Sequence, residues 1–235
     1  MTDETYITQK LLSYVSEIYE NVKVEKYFGV SRSLKILNHV NNCIILEGVK
    51  DKKIILALRY ASILEGVDNP LFFSSPNSQK IKDVIDDVEI RKKTYEILKY
   101  VHHIYDSQPK EQYMLFPRYA NMLELLGEVS LVRLYFYYCF YQKPIRVKKL
   151  KSIEYYQNMD LFEEEDKFSN SMIEHYCHLL KYKSYLEKCN IPYIINEARE
   201  RYLFMEKYIS NYKLKTFDAN EIIKINKKLR KKRLI

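Results

Sequence analysis

Glu65 is a carboxylate where the surrounding pattern calls for an apolar side chain. The segment KIILALRYASILE, residues 53–65, reads as one helix. At about 100° per residue, Ile54, Leu58, Ala61 and Glu65 fall on a single inward stripe. An unpaired buried carboxylate is costly, so three chemistries are open to Glu65: ligation of a metal ion, pairing with a cation, or protonation under a raised pKa. Ser33 lies near the middle of the stripe of Ile36, Leu37, Val40, Cys43 and Ile44, whereas His39 sits about 100° from its centre. Asn121 shares an approximate stripe with Leu125, Val129 and Val132. Three helical segments thus each send a polar residue inward.

An oxygen-rich set of Glu65, Asp68 and Asn121 would suit Mg²⁺ or Mn²⁺, hard ions that accept few protein ligands and several waters. The competing expectation is an ion pair between Glu65 and a buried cation such as Arg118 or Arg59, in which case no cofactor is expected. His175 and His178 can share a helix face, but Cys177 points elsewhere, so a zinc site there lacks its other ligands. The glycines are Gly29, Gly48, Gly66 and Gly127. They form no phosphate-cradling loop, and no serine-nucleophile or dinucleotide fingerprint is present. Any nucleotide would be held by side chains and helix N-termini.

The elements that must position these residues are helical. Gly 4 and Pro 6 are few for 235 residues, and long apolar-periodic segments dominate. Periodicity predicts helices near 4–26, 33–47, 52–65, 78–105 with a break near Val88, 119–141, 166–187, 193–211 and 218–231. The aperiodic loop from Val67 to Asn77 directly follows Glu65. Cys43, Cys139, Cys177 and Cys189 make no CxxC pair, and MTDETYITQK has neither a basic nor an apolar leader region. An intracellular, cytoplasmic protein is expected, with nuclear or virion-associated placement left open. The aromatic run LYFYYCFY, 134–141, is shorter than the roughly 20 residues of a membrane span and reads as a core helix.

Net charge is +8, and most of it lies at one end. From Glu221 onward, Lys224, Lys227, Lys228, Arg230, Lys231, Lys232 and Arg233 stand against one glutamate, for +6. Such a tail can hold nucleic acid, an acidic lipid surface or a transport receptor, and is commonly just a solvated helix end.

Four ordered segments resemble one family. LFPRYANMLELLGEV (115–129) is similar to "YPRxADRLEAIGEI" of a nucleotide pyrophosphohydrolase-like branch of the HD-domain phosphohydrolases, and RYASILEGVDNPLFF (59–73) to its "AALLHDADDxKYF". Ser171 to Tyr176 (SMIEHY) resembles "SMIxHF", while Ala198, Arg201 and Met205 fit "AxxRxxxM". The resemblance spans roughly residues 28–211 and implies an all-helical fold. Where active, such proteins hydrolyse nucleotide phosphate bonds with a divalent metal held by a His, a His-Asp pair and a distant Asp; the ion lowers the pKa of bound water.

By this resemblance the first His corresponds to Ser33, the His-Asp pair to Glu65-Gly66, and the distant Asp to Asn121. A second alignment puts His39 in the first position. Asp68 fits the pattern, Asn69 replaces an acidic residue, Leu71 replaces a lysine expected to meet phosphate, and Glu124 and Gly127 are kept. Asp68, Arg118, Glu124 and His175 are the remaining candidates for a pocket.

The expectation is an all-α, HD-domain-like bundle of about eight to ten helices. Residues 1–27 would form an N-terminal helix on the core, 28–211 the HD-like domain, and 212–235 a basic helix or tail. The expected function is that of a pseudoenzyme acting as a binding or protein-interaction module, with a protein partner, a second copy or a nucleotide as its ligand. The alternatives are a metal-dependent nucleotide phosphohydrolase with a rebuilt oxygen site, and a nucleic-acid-associated protein acting through its basic tail.

Overall fold

The computed structural model describes residues 3–20, 29–67, 78–102, 109–146, 149–160, 170–214 and 219–232. All of the regular structure described is helical, and among these residues no helix is long and apolar enough to cross a membrane. The chain divides into two compact units, Met1–Asn121 and Met122–Ile235.

The first unit contains α1 (Asp3–Glu20), α2 (Val30–Leu46), α3 (Lys52–Leu64), α4 (Ser78–Val84) and α5 (Val88–His102). A 3₁₀ turn at Gln112–Leu115 then leads into α6 (Phe116–Glu124), which belongs to this unit as far as Asn121 and to the second from Met122 onward. Helix α3 is the centre of this unit and packs against α1, α2 and α5. Its wholly buried Ala57 and Ala61 let neighbouring elements approach closely, and Leu58, Tyr60 and Ile63 fill the space beside them. The start of α3 is fixed by Asp51, whose carboxylate accepts the N–H groups of Lys53 at 2.8 Å and Ile54 at 3.1 Å. Asp87 does the same for α5, accepting from Glu89 at 2.8 Å and Ile90 at 3.0 Å. This cap accounts for the break expected near Val88.

The second unit contains α7 (Gly127–Phe140), α8 (Ile153–Gln157), α9 (Met172–His178), a 3₁₀ turn at Leu179–Lys181, α10 (Tyr182–Glu187), α11 (Pro192–Leu214) and α12 (Ala219–Lys231). Helix α7 packs against α9, α11 and α12. Asn190, with φ of 56°, turns the chain through the left-handed region, and Pro192 then opens α11 with its φ already suited to a first helical turn.

The expected helix over 119–141 is two helices, which corrects the sequence reading. The N–H groups of Leu125 and Leu126 fold back to the carbonyls of Met122 and Leu123, both at 3.1 Å, and Gly127 has φ of 74°. The unbroken apolar run hid the turn, and the glycine was its one signal. The stripe drawn from Asn121 through Leu125 to Val132 therefore does not exist as one helix face. Helix α8 was not anticipated. The expected helix over 166–187 is, in its described part, α9 and α10 separated by the 3₁₀ turn, with Ser171 capping α9 through Glu174 N–H at 3.2 Å. Residues 21–26 of the expected first helix lie outside the described residues. The aromatic run forms the end of α7, with Leu134 and Tyr138 buried and Phe140 and Tyr141 exposed.

Gly127 should be irreplaceable for two reasons that add. A Cβ there would lie 3.2 Å from both Cβ and Cγ of Arg201, and the left-handed backbone disfavours any L side chain by about 1–2 kcal/mol. Gly127→Ala should lower unfolding free energy by at least that amount in urea titration; an unchanged midpoint would show that the turn relaxes freely.

Candidate functional site

Glu65 closes the C-terminal end of α3 and is 1% exposed. Its charge is met by Arg32 on α2, which is 4% exposed and places Nη1 3.0 Å from the Glu65 Oε1. Nη2 of the same guanidinium donates to Oδ1 of Asn121, on α6. One planar cation thus joins the residues expected to correspond to the pair and to the distant ligand. The forked, permanently charged guanidinium suits such bridging, since its several donors have fixed directions.

The partner of Glu65 corrects the expectation of Arg118 or Arg59. Arg59 is turned to the other side of α3, where it meets Glu4 and donates to Asn41 Oδ1 at 2.9 Å. Arg118 is buried and donates through Nε to the carbonyl of Tyr100. Sequence reasoning passed over Arg32, although a signal existed. Arg32, Ile36, His39 and Cys43 share a helical stripe, so an inward cation was available beside Ser33.

Two more groups close the cluster. Ser33 is buried, and its hydroxyl donates to the carbonyl of Ile63 at 3.0 Å. Tyr19, from α1, donates its hydroxyl to the carbonyl of Gly66 at 2.9 Å. Burial pushes the Tyr19 phenol well above its usual range; nearby Arg32 opposes that rise and Glu65 adds to it. The hydroxyl therefore keeps its proton and remains a donor. His39 is buried as well, so burial alone does not separate it from Ser33. What distinguishes Ser33 is its bond to α3 two residues before Glu65. Asp68, Asn69 and Leu71 lie outside the described residues.

This donor set does not fit the divalent ion implied by the resemblance. The Ser33 hydroxyl is committed to Ile63, Gly66 offers no side chain, and Oε1 of Glu65 and Oδ1 of Asn121 face a guanidinium. Among the described residues, no three His, Cys, Asp or Glu side chains are grouped so as to hold a metal ion.

The retained motif residues do something different, within the second unit. Glu124 is buried at the end of α6; Arg133 of α7 donates to its carboxylate at 3.0 Å and to its carbonyl at 2.7 Å. Arg201 of α11 donates to the Leu123 carbonyl at 2.6 Å and lies 3.3 Å from the Glu124 carboxylate. The last carbonyls of a helix lack partners within it and carry its negative dipole end. Two arginines supply both needs here, and Glu124 offsets one of their charges. Tyr176 adds a bond from its hydroxyl to the Gly127 carbonyl at 3.1 Å. Glu124, Gly127 and Arg201, which carry the resemblance, are thus parts of one clasp, and Arg133 is the member the sequence reading missed.

His175 belongs to the same unit and is half-buried, with Nδ1 3.1 Å from the Tyr138 hydroxyl and its ring against the Tyr138 ring. Of the basic tail residues, Lys224, Lys227, Lys228, Arg230 and Lys231 are on α12 and Lys232 follows it, all exposed; Arg233 lies outside the described residues.

The fold has known counterparts. An HD-superfamily hydrolase from Bacillus thuringiensis matches with a TM-score of 0.62 at 16% identity, covering 90% of this chain and 96% of that one. A protein from Lactobacillus plantarum matches with a TM-score of 0.66 at 13% identity, over 89% of this chain and 96% of that one. The fold is therefore all-α and HD-domain-like. In sequence, the chain is 26% identical over 231 residues to an uncharacterized protein of Acanthamoeba polyphaga mimivirus, covering 85% of this chain and 93% of that one. No family model matches the sequence.

Removing one member of a buried ion pair strands the other, whereas replacing both with apolar groups leaves no stranded charge. Arg32→Met and Glu65→Met should each cost about 3–5 kcal/mol in urea unfolding, and the double variant should recover most of the loss. Strictly additive losses would show that the two side chains do not depend on each other.

Proposed function

We propose that this chain is a catalytically degenerate relative of the HD-domain phosphohydrolases, a pseudoenzyme whose helical framework serves as a binding or protein-interaction module. The observation that carries this reading is the Arg32 guanidinium lying between Glu65 and Asn121. A guanidinium balances a carboxylate as a metal ion does. It cannot accept a water as a ligand and lower its pKa, the step on which metal-assisted hydrolysis depends. With Ser33 in place of the first His and Gly66 in place of an Asp, the same positions supply neither imidazole nor a second carboxylate.

The Glu124 clasp supports the other half of the reading. The motif residues kept by the chain are those that tie off a helix end, and those changed are the ones aligned with ligands. Selection for a folded binding surface without turnover would leave such a pattern.

The test is phosphate release from a mixture of nucleoside triphosphates by the full chain with Mg²⁺ or Mn²⁺. No release above the protein-free control is expected. Turnover that a chelator stops, that Mn²⁺ restores, and that is lost in Asn121→Ala with helical content unchanged would instead establish a rebuilt oxygen site.

A further inference from the structure

Helix α12 lies on α7 by one face only. Ile222, Asn226 and Leu229 are buried, and at about 100° per residue they define an inward sector. The opposite sector holds Asn220, Lys224, Lys227 and Lys231, all exposed. No carboxylate shares it. The cations beside this stripe are already engaged: Lys228 pairs with Glu128 at 3.0 Å, and Arg230 donates to Asn226 Oδ1 at 3.4 Å. Lys224, Lys227 and Lys231 therefore stand in line on the outer crest, separated along the axis by about 4.5 and 6 Å at 1.5 Å rise per residue.

We propose that this crest is a docking surface for nucleic acid, gripping the phosphate backbone without reading sequence. The sequence reading expected a helix over 218–231 within a basic helix or tail; the structure adds that this helix is fixed by its apolar side, so the charges are held in line rather than dispersed. A row of ammonium groups on a fixed helix complements a polyanion with closely spaced charges, because each phosphate contact releases condensed counterions. An acidic membrane is the other polyanionic surface to weigh. Basic amphipathic helices bind membranes by sinking their apolar face among the acyl chains, and the apolar face of α12 is already committed to α7. Docking here uses none of the residues around Glu65, so it stands or falls separately from the loss of catalysis.

The experiment measures anisotropy of a fluorescein-labelled DNA duplex of arbitrary sequence with the full chain, from about 50 to 200 mM salt. Three phosphate contacts predict a log K against log salt slope of about −2.7, roughly a 40-fold loss across that range. The triple variant Lys224→Gln, Lys227→Gln, Lys231→Gln should lose most of that slope and bind at least about tenfold more weakly at the low-salt end. A control variant carrying the same charge loss elsewhere, Lys50→Gln, Lys92→Gln, Lys99→Gln, should bind as the unaltered chain does. Equal behaviour of the two variants, absence of duplex binding, or binding only to phosphatidylserine vesicles would each overturn the proposal.

Discussion

A carboxylate buried at the end of the central helix of the first unit has to be neutralised, and the surroundings of Glu65 are organised to do so. Isolated, such a charge would cost several kcal/mol even after local relaxation. Arg32 offsets that cost, and it can only do so by being buried too, which in turn requires partners for its remaining donors. Asn121 supplies one. Tyr19 reaches the adjacent backbone at Gly66, and Ser33 ties α2 to α3 just before the carboxylate. The result joins α1, α2, α3 and α6 through polar contacts in an otherwise apolar interior. Contacts of this kind specify which helix faces meet more sharply than Leu and Ile can, because a slip of one residue would strand a charge.

The second unit solves a different electrostatic problem. The chain must stop α6 at Glu124 and start α7 within three residues, leaving a helix end buried with unmet carbonyls. Arg133 and Arg201 take those carbonyls, Glu124 holds both arginines, and Gly127 permits the turn and the close passage of Arg201. The residues that carry the resemblance in this segment, Glu124, Gly127 and Arg201, thus have a structural role of their own.

How much was legible in the sequence follows the same division. The inward placement of Glu65 came from helical arithmetic on 53–65 and holds, because one apolar stripe dominates that segment. The break before Val88 and the last basic helix were also legible, from a capping aspartate and from a strong alternation of apolar and charged residues. The split at Gly127 was not, since apolar residues on both sides continue the helical period across it. Nor was the identity of the cation facing Glu65: Arg59 and Arg118 are near it in sequence or motif, but pairing depends on which helix faces meet. The HD-domain-like fold was read from four short segments, of which those around Glu124, Gly127 and Arg201 meet in one clasp. No local pattern reveals that an arginine one position before Ser33 reaches across to Asn121.

The most direct test is a crystal structure of the full chain soaked in excess Mn²⁺, with anomalous data. The account predicts the Arg32 guanidinium in place between Glu65 and Asn121 and no anomalous peak within ligand distance of either. A Mn²⁺ peak bound by Glu65 and Asn121, with Arg32 displaced, would contradict it.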